Sequence, residues 1–309
     1  MIPITFDNII FSLQRYGGIS VVWTELLNRA RADKDLAVTE LDYKDQLPYR
    51  TLERYRVPAW TPTQPTLFHS SYFRICPHPL ATNITTIHDL TYHYYRKGMA
   101  KAVHLWEEQR ALRHSKAVIC VSENTKWDLL NCYPWLDEEQ IKVVYNGVGD
   151  EFFPIPSVEK KGYLLYVGNR AVEYKRYDVA QEVARLTGLE LVTASNVSRE
   201  QLNIMYNEAL CLLYPSDYEG FGIPILEAQK AGCPVIAQNT SSVPEVIGAA
   251  GLMVNHNTAA RVAADMAEIV RHLLSQPTQG IIAAGLENAK RFSWDKTYKQ
   301  MKQIYSQLA

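Results

Sequence analysis

No stretch of this 309-residue sequence approaches the run of about 18 apolar residues that a membrane-spanning helix requires, so a transmembrane anchor is not expected. The opening residues, Met1-Ile-Pro-Ile-Thr-Phe-Asp7, lack the basic segment and the apolar stretch of a secretory leader, and a cytoplasmic setting is the corresponding expectation. Charge of one sign is missing too. Against 32 Lys and Arg stand 33 Asp and Glu, a net charge of −1 that argues against bulk nucleic-acid binding. Cysteine is sparse: Cys76, Cys120, Cys132, Cys211 and Cys233 are odd in number and form no C-x-x-C. Reduced, mostly buried thiols are therefore expected. No G-x-G-x-x-G opens a helix, which weighs against a nicotinamide or flavin site. The one D-x-D candidate, Asp33-Lys-Asp35, reads as a surface turn without supporting context. Solenoid-period repeats and low-complexity tracts are absent as well.

What the chain has instead is a repeated alternation of short apolar runs and amphipathic stretches. Hydrophobic residues make up 47%, enough to build sizeable cores, and the length fits two domains of about 150 residues each. In the first half, strands are expected at 2–6, 36–41, 66–70, 84–87, 117–121 and 141–145, and helices over 19–31, 101–114 and after a Ser122 cap. The pattern restarts at Tyr163, with strands at 163–167, 189–194, 211–214, 234–237 and 251–254 and helices between them. Phe292-Ser-Trp-Asp introduces a last helix to Leu308. Such β/α alternation predicts two open α/β domains with mainly parallel sheets. The expected boundaries are 1–152, 153–292 and a C-terminal helical segment 293–309, with Phe153-Pro-Ile-Pro marking the linker.

The most informative stretch runs from Tyr214 to Ala228. Cys211 to Tyr214 is strand-like, Gly220 and Gly222 soften the loop that follows, and Pro224 suits the start of a helix. Free N–H groups at that helix start face out of the loop, ready for an anion or a polar ligand. Glu219 precedes the helix and Glu227 is placed on its first turn, so two carboxylates flank one concavity. Read from the residues alone, a structural corner with two solvated glutamates is the competing interpretation.

With its interior filled as E-G-F-G-I-P-I-L-E and followed by A-G-C-P-V-I-A, this segment resembles the donor-site motif of glycosyltransferase family 4. Members are retaining, sugar-nucleotide-dependent enzymes of the GT-B fold, two Rossmann-like domains facing a cleft. The resemblance also implies a C-terminal helix that crosses back to the first domain. Other segments match in context. Gly17-Gly18 stands before a helix, within a Y-G-G-I-S that is similar to a polysaccharide-assembling subgroup; a plain tight turn is the alternative. Thr86-Ile-His88-Asp89 resembles the active-site strand end, where His88 would face the transferred sugar and donor phosphate, and Asp89 would bind donor or merely fix the turn. Arg170 and Lys175 follow the first strand of the second half, where the family places an arginine and a lysine on the leaving diphosphate; Arg176 is adjacent. Asn146-Gly147 resembles the hinge, and Glu245 in V-P-E-V reads as structural.

The implied activity is transfer of a hexose, mannose from a GDP-sugar first and a UDP-hexose next, onto a saccharide in O-antigen-type polysaccharide assembly. His88, Glu219, Arg170 and Lys175 would be catalytic. Gly17, Gly18, Asp89, Arg170, Lys175, Glu219, Gly220, Phe221, Gly222, Ile223 and Glu227 would bind the donor. No cofactor and no metal are expected beyond the nucleotide sugar. The acceptor partner would be a saccharide, with a lipid-diphosphate-linked one at the cytoplasmic face of the inner membrane as the specific expectation. The basic, aromatic stretch Arg50–Trp60 would supply peripheral membrane contact, or else be a solvated loop. Rival functions are a glycoside hydrolase, which would want two carboxylates but no cations for a diphosphate, a nucleotide-sugar epimerase, a phosphorylase, and a non-catalytic sugar-nucleotide-binding subunit.

Overall fold

In the computed structural model, which describes residues 1–14, 17–43, 53–195 and 197–309, the chain separates into two units. One comprises Met1–Gly147 with Trp294–Ala309, the other Val148–Ser293.

The first unit is a six-stranded, fully parallel sheet in the order β2-β1-β3-β4-β5-β6. Its elements in chain order are β1 (Ile2–Asp7), α1 (Ile10–Leu13), α2 (Gly18–Ala32), β2 (Leu36–Leu41), β3 (Thr66–Ser70), β4 (Ala81–Ile87), α3 (Thr91–Tyr95), α4 (Gly98–His114), β5 (Ser115–Cys120), α5 (Glu123–Cys132) and β6 (Ile141–Val143). Every residue of β3 is buried, although only Leu67 and Phe68 are apolar; its polar members are bonded internally, Ser70 to Asp7 and His69 to Thr86 and Tyr305. Strand β4 begins three residues earlier than its apolar run, at Ala81. Asn83 masks that start: its side-chain amide bonds the backbone N–H and C=O of Cys76, and the register with β5 shifts beside it. The Ser122 cap is present, its hydroxyl accepting from Thr125 N–H.

The C-terminal helix (Trp294–Leu308) packs within this unit. Met301, Ile304 and Tyr305 enter the same core as Phe6, Trp23 and Leu27. Tyr305 Oη lies 2.8 Å from Nδ1 of the buried His69, whose Nε2 lies 2.9 Å from Thr86 Oγ1. The Asp33-Lys-Asp35 segment serves the same helix: Lys302 Nζ reaches Asp33 and Asp35 at 2.8 and 2.7 Å, and Tyr298 donates to Asp33.

The second unit is a five-stranded parallel sheet in the order β11-β10-β9-β7-β8. Its elements are β7 (Leu164–Val167), α6 (Tyr177–Thr187), β8 (Leu191–Ala194), α7 (Arg199–Glu208), β9 (Cys211–Tyr214), α8 (Ile223–Lys230), β10 (Val235–Gln238), α9 (Val243–Ile247), β11 (Leu252–Val254), α10 (Ala259–Ser275) and α11 (Gln279–Ala289). Helix α7 starts at a reciprocal capping box, Ser198 with Gln201. Met266, Ala267 and Val270 of α10 join Leu164, Leu213 and Ile236 of the sheet in one core. Chain order reverses direction at β7, which sits between β8 and β9, and ligands of open α/β sheets bind at the carboxyl ends of strands flanking such a switch.

Candidate functional site

Both strands at that switch point deliver charged residues to their carboxyl ends. The loop after β7 carries Lys175 and the loop after β9 carries Glu219, and Lys175 Nζ lies 2.7 Å from each carboxylate oxygen. Glu219 is buried and Lys175 is a quarter exposed, so the pair is shielded on one side and open on the other. Arg176, adopting the left-handed conformation at φ 51°, cements the two loops by pairing with Asp178 at 2.9 Å and Asp217 at 3.2 Å. Asp217 N–H also donates to Tyr174 C=O at 2.8 Å. Arg176 is thus committed to holding the loops, which separates it in role from Lys175. Arg170 stands exposed on the β7–α6 loop, its guanidinium 5.8 Å from the Tyr177 ring centroid.

The Glu219–Gly222 backbone is held by residues that the sequence pattern did not single out. Ser241, a non-glycine at φ 45°, accepts the Glu219 N–H on its hydroxyl at 2.8 Å. Ser242, fully buried, donates its hydroxyl to the carbonyls of Glu219 and Phe221 at 2.9 and 3.0 Å. Thr240 donates to Ser216 C=O at 2.9 Å. A polar Thr-Ser-Ser run directly after a buried strand was the available signal, and it is a weak one. Of the two loop glycines, Gly222 has the left-handed backbone, φ +103° and ψ 49°, as it opens α8; a Cβ there would press on Ile225 Cδ1 at 3.1 Å. Gly220 has no positive φ. Phe221 is buried, edge-on to Phe292 at 5.8 Å, so its side chain anchors the loop in the core. Ile223 is half-buried at the first position of α8, and Pro224 is the second.

Glu227 lies one residue further into α8 than the sequence suggested, because the helix begins at Ile223. Its carboxylate is buried; Oε2 accepts from Tyr206 Oη at 3.1 Å and Oε1 is 4.0 Å from Arg199 Nη2. Burial pushes its pKa up to about 7, in spite of Arg199 and the tyrosine hydrogen bond. Neither Tyr206 nor Arg199 was visible as a partner: both come from α7, and a single sequence does not show that this helix packs on α8.

In the first unit, His88 and Asp89 follow β4 at its carboxyl end and line one cavity of about 90 Å³ with Ser71, Tyr72, Tyr92 and His104. Ile19, directly after Gly17-Gly18 at the start of α2, borders the same cavity. Burial lowers the His88 pKa to about 4, opposed by the neighbouring Asp89 carboxylate, so the imidazole is neutral near pH 7. Asp89 Oδ1 accepts from both the N–H and the hydroxyl of Thr91, which fixes the start of α3. In the cavity lining, Tyr92 stacks on His104 at 3.7 Å and Tyr72 Oη reaches His104 Nδ1 at 3.2 Å. Among the described residues no cluster of three metal-ligating side chains exists. Cys76, Cys120, Cys211 and Cys233 are buried free thiols and Cys132 is half-buried; burial holds Cys233 up at about 12.

Within the Arg50–Trp60 stretch, the described Arg54 and Trp60 are engaged internally. Arg50 lies outside the described residues, Arg54 makes a two-pronged contact with the buried Glu107, and Trp60 stacks on Phe68 at 6.0 Å. Of its described cations, Arg56 is exposed.

Two doubly wound parallel units, with ion-paired loops at the switch point of one and a histidine-bordered cavity in the other, define a two-unit Rossmann-like α/β protein with ligand-facing loops at its strand ends. Comparison with known proteins gives the particular family. The family model "Glycosyltransferase Family 4" matches residues 16–152, and "Glycosyl transferases group 1" matches residues 189–279. The chain belongs to glycosyltransferase family 4, of the GT-B fold. Among its relatives, O-antigen chain mannosyltransferase B of Escherichia coli is 28% identical, aligned over 78% of this chain and 74% of that protein. O-antigen chain mannosyltransferase RfbU of Salmonella typhimurium is 32% identical over 57% of this chain and 58% of that protein. In fold, sucrose-phosphate synthase from Thermosynechococcus elongatus matches with a TM-score of 0.74 at 17% identity, covering 100% of this chain and 99% of that one. Anabaena HepE in complex with UDP-glucose matches with a TM-score of 0.72 at 15% identity over 100% of both chains.

Proposed function

We propose that this transferase moves a hexose with retention of configuration from a nucleoside diphosphate sugar to a saccharide acceptor in cell-surface polysaccharide assembly. Mannose from a GDP-sugar is the first assignment, supported by the O-antigen mannosyltransferase relatives, and a UDP-hexose is the second. The observation that carries the reading is the Lys175–Glu219 pair at the carboxyl ends of β7 and β9. A cation and a carboxylate held there suit two ends of one ligand: the leaving diphosphate and a hydroxyl of the transferred sugar.

As the anomeric carbon becomes oxocarbenium-like, negative charge grows on the departing diphosphate. Lys175, Arg170 and the N–H groups at the start of α8 supply preorganised positive potential for it without a metal. Glu219 accepts a sugar hydroxyl, while the Gly220–Ile223 backbone lies against the sugar. Ser241 and Ser242 keep that backbone in place. Glu227 receives the ribose hydroxyls. His88, neutral near pH 7, offers a hydrogen bond to sugar and phosphate, and Gly17-Gly18 and Asp89 complete the donor contacts. The sequence offers no obvious dedicated nucleophile, which favours same-face attack by the acceptor hydroxyl. A lipid-diphosphate-linked saccharide at the cytoplasmic face of the inner membrane is the acceptor this reading favours.

The test incubates the protein with GDP-mannose or UDP-hexoses and a panel of saccharides, reading product mass and anomeric configuration by NMR. Transfer with retention, abolished in Glu219→Ala, supports the assignment. Sugar interconversion without transfer would point to an epimerase, hydrolysis of a glycoside to a hydrolase, and nucleotide-sugar binding without turnover to a non-catalytic subunit.

A further inference from the structure

Arg199 is the first residue of α7, at the positive end of that helix's dipole, where a cation is disfavoured. Two neighbours near the start of the second unit hold it there. Its Nε faces a carboxylate oxygen of Glu151, and its guanidinium lies 5.2 Å from the ring centroid of the buried Phe152. The far nitrogen, Nη2, is buried, has no hydrogen-bond partner among the described residues, and lies 4.0 Å from Glu227 Oε1. That separation is too long for a hydrogen bond, but two opposite charges at 4.0 Å, screened from water, act strongly on one another.

Helix α7 thus meets the Glu227 carboxyl twice, with Arg199 from its first turn and Tyr206 from its last. Tyr206 supplies a hydrogen bond and Arg199 supplies a charge. The other elements packed on α8 bring Cys211 and Tyr214 of β9, Cys233 of the turn to β10, Glu245 of α9 and Glu287 of α11. Lys230, on α8 itself, is paired with Asp150. Burial pushes the carboxyl up to about 7, and Arg199 and then Tyr206 pull it back. Near neutral pH its charge is therefore finely balanced, and one cation decides it. The balance matters because a carboxylate is a pure acceptor that two adjacent hydroxyls can share, whereas the protonated acid spends one oxygen as a donor.

We propose that Arg199 is a positioning residue for the donor, holding Glu227 as the carboxylate that takes the two ribose hydroxyls without itself touching the nucleotide. The chain then selects ribonucleotides over 2′-deoxyribonucleotides through a cation on the neighbouring helix. This inference rests on the proposed donor site, in which Glu227 receives the ribose.

The experiment titrates the whole protein with GDP, UDP and their 2′-deoxy forms by calorimetry between pH 6 and pH 8.5, in wild type, R199Q, R199K, E227Q and R199Q/E227Q. A hydrogen bond to a charged group makes the wild-type preference for ribose about tenfold at pH 8.5. Protonation of Glu227 near pH 7 should reduce it to about twofold at pH 6. Removing the neighbouring cation in R199Q should move the midpoint of this profile up by about 1–3 pH units, so that the variant discriminates about two- to eightfold less at pH 7.5. R199K should keep the wild-type midpoint, and R199Q should change nothing further in the E227Q background. An arginine needed only for structure would weaken ribo- and deoxyribonucleotides alike and leave the midpoint in place, which would overturn the proposal. An R199Q loss that persists in E227Q would overturn it too, because Arg199 would then touch the nucleotide. A wild-type preference that is flat with pH, or unchanged in E227Q, refutes it without recourse to the arginine variants. No binding of any nucleotide by folded wild type would instead refute the donor site itself, whereas nucleotide binding with a flat profile refutes this inference alone.

Discussion

Glu227 carries a measurable consequence. Its carboxyl is buried against Tyr206, with Arg199 as its nearest cation at 4.0 Å, and its pKa stands at about 7 against an ordinary value of 4.5. The folded state therefore keeps a proton that the unfolded chain releases near pH 4.5. Between those values the folded state binds more protons, so stability falls as pH rises from about 4.5 through about 7 and levels off above. A shift of this size corresponds to about 3 kcal/mol lost by pH 8 and less than about 1 kcal/mol lost at pH 5. Glu227→Gln keeps an acceptor for the Tyr206 hydroxyl and removes the titration. The variant should be more stable than wild type by about 3 kcal/mol at pH 8, or about 6–12 °C in Tm of the second unit, with the gain shrinking steadily towards pH 5. Thermal and urea melts followed by circular dichroism at several pH values would read it. A gain that does not change with pH, or a loss that is larger at pH 8, would mean that Glu227 is ionised in the fold and paired with Arg199. Under the proposed function the same substitution weakens donor binding, a trade of stability against function.

The remaining predictions concern the loop and the C-terminal helix. Ser242→Ala should cost about 1–3 kcal/mol, because it strips the buried carbonyls of Glu219 and Phe221 of their hydroxyl donor; in kinetics it should raise the donor KM. Gly222→Ala, forced to φ +103° against Ile225, should cost about 1–3 kcal/mol and reduce transfer further, measured by melts and by turnover with the donor that proves active. Tyr305→Phe leaves Nδ1 of the buried His69 without its hydroxyl partner and should lower stability by about 1–3 kcal/mol in urea melts, with donor binding unchanged.

Much of this architecture was legible because short apolar or β-branched segments alternate with amphipathic ones along the chain. Strands β2, β3 and β9 have the bounds their residues suggest, and the switch-point loops carry the glutamate motif in recognisable context. The short helices α1, α3 and α9 were not legible, since four or five residues show no period. The polar start of β4 was hidden by Asn83, whose function is to bond a neighbouring segment. In the site, residue identity pointed to Lys175 and Glu219 separately; that they pair is a fact of strand order. Ser241, Ser242, Tyr206 and Arg199 act through distant partners, and a single sequence carries no trace of such contacts. Arg54 and Trp60 show the converse error: a basic, aromatic composition says nothing of whether its members face water or one another.

Under the proposed function, the loops after β7 and β9 form a nucleoside diphosphate site. The most direct measurement is a thermal-shift panel of nucleotides and nucleotide sugars on wild type and on an Arg170→Ala, Lys175→Ala variant. A ligand at about 100 times its Kd stabilises the folded protein by about 2.7 kcal/mol, or about 5–10 °C here. A shift with GDP or UDP species that vanishes in the variant is the predicted result, and it would also name the base. No shift with any nucleotide in folded wild type, or an equal shift in the variant, would contradict the assignment of those loops to the donor diphosphate.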